Sequence, residues 1–162
     1  MPIAAAQFEH SLVHREPEAD LFPAAKALGL GIVTWSPLGG GVLTAKYRKG
    51  EAGRAEGFGG RVFQPENSEQ RSRIIDTVLA IAAELETSPD RVAIAWAGTH
   101  GAVPLIGPRS LSQFESNIGV LTLELSADQI VRLDEVSALV DKAPPRTPIA
   151  WGKSPLPGKI IA

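Results

Sequence analysis

The sequence predicts an α/β fold with a parallel sheet, and three observations carry that expectation. Short apolar runs over 3–9, 31–35 and 102–106 have the length and composition of buried strands. Between and after them lie stretches whose apolar residues recur at spacings of three and four, the period of a helix with one buried face. Strand, helix, strand in succession is a βαβ unit, and its two strands run parallel.

The first strand, 3–9, is small and apolar and ends in Gln7-Phe8-Glu9. A polar connection over 11–17 leads to a helix over 18–28, with Leu21, Phe22, Ala25 and Leu28 on one face and Gly29 at the stop position. Pro23 moves the regular part of this helix toward Phe22, because proline is tolerated only in a first turn. The second strand, 31–35, ends at Trp35, turns at Pro37 and enters the triplet Gly39-Gly40-Gly41. The segment 37–67 has no periodicity and a charged middle at Arg48, Lys49, Glu51, Arg54 and Glu56. A loop of that length is usually functional or disordered, and a flap that orders over a ligand is both in turn.

Ser68 caps the next helix, which runs to about residue 86 with Ile74, Ile75, Val78, Leu79, Ala82 and Leu85 on its buried face. Ser88 and Pro89 have the types of an N-cap and a first helical residue, and they open a short apolar helix over 90–97. The third strand, 102–106, stops at Gly107-Pro108, and Ser110 caps a helix over 111–118. Ser126-Ala-Asp-Gln129 has capping-box spacing ahead of Ile130, Leu133 and Val136, so a last helix runs to about residue 139. Prolines at 144, 145, 148, 155 and 157 predict an irregular tail with Trp151 as its anchor. The expectation is one domain over 1–142 and a tail over 143–162.

Composition narrows the partners. With 44% hydrophobic and 21% charged residues in 162, the chain has the balance of a globular protein. A net charge of -2 and no basic run argue against nucleic acid, and no stretch approaches a membrane span. The sequence has no cysteine, hence no thiolate metal site, and no signal-peptide pattern; a reducing, cytoplasmic setting is the expectation.

In folds of this kind ligands sit at the carboxyl ends of the strands. Gln7, Trp35 with Ser36, and Gly107 to Arg109 all stand at such ends and converge on one face. The glycine triplet reads either as a loop whose bare N–H groups meet an anion or as an ordinary turn. Trp35 reads either as a flat ring for a ligand or as core. Arg109 has the planar fork that suits a phosphate, and Gln113 and Asn117, four apart, share a helix face.

Three blocks, Gln7-Phe8-Glu9-His10-Ser11-Leu12, Trp35-Ser36-Pro37-Leu38-Gly39-Gly40-Gly41 with Lys46-Tyr47, and Ile106-Gly107-Pro108-Arg109 with Gln113 and Asn117, resemble the aldo-keto reductases in order and spacing. The resemblance runs from about Gln7 to Leu139. It implies that the three βα units are the last three of a (β/α)₈ TIM barrel, a truncated barrel against the roughly 250 residues of a whole one. It implies NADP(H)-dependent reduction of aldehydes and ketones as the family activity, with NADPH as cofactor. Gln7 would meet the nicotinamide carboxamide and Trp35 would stack on the ring. Ser36, Leu38 and Gly40 would offer donors to the pyrophosphate, with Lys46 adding charge; Lys46 reads equally as a solvated loop lysine. The segment of Gly107, Arg109, Gln113 and Asn117 would hold the 2′-phosphate and adenine. Ser116 departs from the acidic residue common at its position.

The tyrosine, lysine, aspartate and histidine of the family's chemistry belong to the part of its sequence before these blocks, so no catalytic residue is assigned here. Tyr47, the chain's single tyrosine, belongs to the loop motif. His10, His14 and His100 are the candidates for a substitute acid. Two further readings stand beside a reductase lacking its catalytic part: a non-catalytic NADP-binding or interaction domain, and a degenerate remnant. In each, the edges of an open sheet invite self-association.

Overall fold

The computed structural model describes residues 3–45, 66 and 68–139. Expectations for Lys46, Tyr47, the charged loop middle and the tail lie outside these residues. Three strands, β1 (Ala5–Glu9), β2 (Gly31–Trp35) and β3 (Val103–Pro104), form one parallel sheet in the order β1-β2-β3. Gln7 pairs with Val33, Glu9 with Trp35 and Thr34 with Pro104. The helices are α1 (Leu21–Ala27), α2 (Glu69–Glu84), α3 (Pro89–Thr99), α4 (Leu111–Ile118) and α5 (Ala127–Ser137). The α/β parallel architecture is as the sequence predicted, and the sheet does not close.

Strand alternation divides the sheet into two unlike faces. Phe8, Ile32 and Thr34 turn toward the helices, where Phe22 and Ala25 of α1 pack with Ile32 and Ala102. The other face carries Ala5, Gln7, Gly31, Trp35 and Val103, all exposed, with Val33 half-buried. The larger core lies among the helices. Ile74, Ile75, Val78 and Ile81 of α2, Val92 and Trp96 of α3 and Leu133 of α5 pack with Leu12, Val42 and Leu43 from the strand-end loops.

Two boundaries and one buried helix face differ from the sequence expectation. The helix expected over 18–28 is a 3₁₀ turn, Glu16–Ala19, followed after Asp20 by α1. A continuous helix would drive the Pro23 ring into the Ala19 carbonyl one turn earlier. The third strand is two residues long, and Leu105 N still donates to Thr34 O at 2.7 Å, so the Pro104 nitrogen faces away from β2 and costs the ladder no bond. On α2 the buried face includes Ile81, while Leu79 and Leu85 are only partly buried. The capping signals were reliable: Ser68, Ser110 and Ser126 each accept a backbone N–H at a helix start, and Gln129 completes the capping box. Ser88 holds the N-cap position of α3 without a side-chain cap bond.

Beneath the loop after β1 lies a network of charged and aromatic side chains. Arg15 forms a bidentate pair with Glu18, Nε to Oε1 at 2.8 Å and Nη2 to Oε2 at 2.7 Å. Its Nη1 donates to Asp134 O and Ser137 Oγ on α5. Trp96 Nε1 donates to Asp134 Oδ1 at 3.0 Å, and the Arg15 guanidinium lies 5.2 Å from the Trp96 ring centre. His10, fully buried, stacks on Trp96 and bonds Glu18 Oε1 at 2.7 Å. Burial alone would raise the Glu18 carboxyl, but the hydrogen bonds from His10 and Arg15 outweigh it and hold it down to about 2.

Candidate functional site

A cleft of about 980 Å³ opens at the carboxyl ends of β2 and β3. Three distant segments build it. The β2 end contributes Trp35, Ser36, Leu38, Gly40 and Thr44; the α3 start contributes Ser88, Pro89 and Asp90; the third runs from Leu105 through Gly107 and Arg109 to Gln113, Ser116 and Asn117. Eight of the ten residues expected from sequence therefore meet in one place. Gln7 does not line the cleft; it stands on the exposed sheet face that also carries Trp35, beside Val33. Lys46 lies outside the described residues.

The backbone of the first wall is unusual. Ser36 has φ 61°, and Gly39, Gly40 and Gly41 follow at 56°, 67° and 99°. Left-handed conformations are cheap for glycine and cost a residue with a Cβ about 1 kcal/mol. Gly39 has a second reason to be glycine, since a Cβ there would stand 2.6 Å from Val13 Cγ2. That part of the triplet is a packing device. Gly39 N and Gly41 N donate within the loop, to Ser36 O and Leu38 O, so neither is available to a ligand.

The opposite wall is the start of α4. Ser110 Oγ accepts Gln113 N at 3.2 Å, and Gln113 Oε1 accepts Arg109 N at 2.8 Å. Gln113 thus commits its carbonyl end to fixing the turn that carries Arg109. The positive end of the helix dipole and the Arg109 guanidinium both favour an anion there. At the start of α3 the balance differs, because Asp90 already places a carboxylate on that terminus.

Asp90 is the residue that sequence reasoning missed. Asn117 Nδ2 and Ser116 Oγ donate to its Oδ2 at 2.7 and 2.8 Å, and Ser88 Oγ lies 3.2 Å from Ser116 Oγ. Ser116, the departure noted in the sequence, therefore bonds a carboxylate supplied by another helix. Burial would raise the Asp90 carboxyl, yet hydrogen bonds from Ser88, Ser116 and Asn117 lower it below its ordinary value. The Ser88-Pro89-Asp90 helix start was visible in the sequence, but its distance from the glycine loop and from Arg109 gave no sign of contact.

None of the three histidines lines the cleft. His10 and His100 belong to the cluster around Trp96, and His14 faces Glu16. Among the described residues no group of three or more metal-ligating side chains occurs, and no helix is long and apolar enough to cross a membrane.

Comparison with known proteins agrees with this geometry. A family model described as the aldo/keto reductase family matches residues 1–138. The uncharacterized oxidoreductase YrpG of Bacillus subtilis (strain 168) is 30% identical over 139 residues, which are 84% of this chain and 41% of that protein. The probable aldo-keto reductase 1 of Glycine max is 30% identical over 145 residues, 88% of this chain and 42% of its own length. In fold, the chain is similar to the glycerol dehydrogenase AKR11B4 from Gluconobacter oxydans, with a TM-score of 0.72 at 22% identity, covering 84% of this chain and 42% of the other. The chain thus spans well under half the length of these relatives.

Proposed function

The chain belongs to the aldo/keto reductase family, a family of oxidoreductases, and from that premise we propose that the cleft binds NADP(H) and that the family's carbonyl reduction is the activity it serves. The observation that carries this reading is the convergence of Trp35, the glycine loop and the Arg109 turn on one cleft at the strand ends. The residues fit such a group. The volume lies within the roughly 300–1,000 Å³ typical of small-molecule sites. Trp35, 37% exposed at the cleft, offers a flat apolar face to a flat ring. Ser36, Leu38 and Gly40 offer hydroxyl and backbone donors near a pyrophosphate, and Arg109 with the start of α4 suits a further phosphate.

When bound, the nicotinamide supplies the hydride; the residues of this chain hold and orient. Gln7 is the proposed partner of the carboxamide and Lys46 of the pyrophosphate. No residue of this chain is proposed as the proton donor. A carbonyl compound is the proposed substrate class, and the cytoplasm the proposed location, from the cysteine-free composition. The open β1 edge supports association with a second copy through strand pairing.

Titration of the purified protein with NADPH, followed by tryptophan fluorescence and by molecular mass in solution, tests the reading. Saturable quenching is expected, weakened about tenfold or more by Arg109→Ala, the loss of a charge-assisted phosphate contact, and reduced in amplitude by Trp35→Ala. Wild-type protein that is folded and shows no quenching would sink it.

A further inference from the structure

Asp90 stands in the first turn of α3, buried, and forms part of the cleft wall. Besides Ser88 at the start of its own helix, its side-chain donors are Ser116 Oγ and Asn117 Nδ2, both from α4. An ionised carboxylate only accepts hydrogen bonds, so an amide that faces it must present its NH₂. The 2.7 Å contact therefore fixes which way round the Asn117 amide sits. Its Nδ2 is turned to Asp90, and the end left for a neighbour on the other side is the carbonyl oxygen. Asn117 is itself buried and lines the cleft.

We propose that Asp90 is a positioning residue that fixes Asn117 as a hydrogen-bond acceptor toward the cleft, so that this wall takes a ligand group bearing N–H, such as an amino-substituted heterocycle, in preference to an isostere bearing a carbonyl. The proposal rests on the reading that the cleft holds NADP(H). It assigns Asp90 a task beyond joining two helices. A simple tie would support every ligand alike, whereas control of the amide's direction discriminates between ligands that differ only at one donor or acceptor. A wrongly directed buried amide leaves two like groups facing each other, and selectivity follows from that mismatch.

The test compares wild type, Asp90→Asn and Asp90→Ala in titrations with NADPH and with reduced nicotinamide hypoxanthine dinucleotide phosphate, in which a carbonyl replaces the amino group of the base. Tryptophan quenching gives both dissociation constants, and circular dichroism checks that each variant is folded. Wild type is expected to favour NADPH by about tenfold, the scale of one buried hydrogen bond. Asp90→Asn keeps the side chain's shape but can face Asn117 with either end of its amide, so the preference should shrink to within about twofold. Equal weakening of both ligands by Asp90→Asn, with the preference kept, overturns the proposal and leaves Asp90 as a tie between helices. Wild type that binds NADPH with no preference overturns it as well, without touching the cofactor reading. Wild type that binds neither dinucleotide overturns both. Asp90→Ala, if folded, should lose the preference too; retention of the full preference in that variant counts against the proposal.

Discussion

Arg15 shows how one residue can join parts of the chain that are far apart in sequence. Its guanidinium bonds Glu18 three positions on and the α5 residues Asp134 and Ser137 about 120 positions on. Removing it takes the bidentate cation from a part-buried carboxylate, leaving Glu18 only its bond to His10, and breaking such a pair typically costs about 3–5 kcal/mol. Arg15→Ala should lower the denaturation midpoint accordingly, and a fall of under about 1 kcal/mol, the scale of a surface pair, would show that the network is only superficial. The same site sets a pH dependence. Glu18 is depressed from its ordinary 4.5 to about 2 in the fold, so its contribution is present above about 4.5 and is lost as pH falls toward 2. Urea unfolding at a series of pH values should show stability dropping through that window in wild type and dropping less in Glu18→Gln.

At the scale of an element, the loop after β2 carries the sharpest constraint. Gly39 combines φ 56° with a neighbour that a Cβ would strike, so Gly39→Ala should destabilise by more than about 1 kcal/mol, whereas a glycine that only turns the chain would lose less. Thermal melts decide between the two. This distinction was not legible in the sequence, where the triplet read equally as a turn and as an anion loop. Elements with a strong local cause were legible: three serine caps, the capping box at Gln129 and the apolar face of α2 all stand where their spacing put them. The break before α1 traces to Pro23, visible beforehand, but its effect depends on which carbonyl lies opposite. Asp90 stayed hidden for a related reason. Its partners lie 26 and 27 positions away, and no periodic pattern encodes a contact between two helix ends.

At the scale of the whole molecule, the described residues form a layer of helices over one face of a three-stranded sheet, with the site at the sheet's carboxyl rim and the other face exposed among them. Most of the cleft was foreseeable because the fold sends every strand end to the same rim. The exposed face has a further consequence at the β1 edge. Gly31 N donates to Ala4 O and His10 N to Trp35 O, so the even-numbered residues of β1 direct their amides and carbonyls at β2. The N–H groups of Ala5 and Gln7 then point the opposite way. Hydrogen–deuterium exchange along β1 should consequently alternate, slow at Ala6 and Phe8 and fast at Ala5 and Gln7. A strand from a second copy laid along that edge would slow the fast set alone, so the rhythm of exchange over four consecutive amides reports whether the sheet stands open or has been extended.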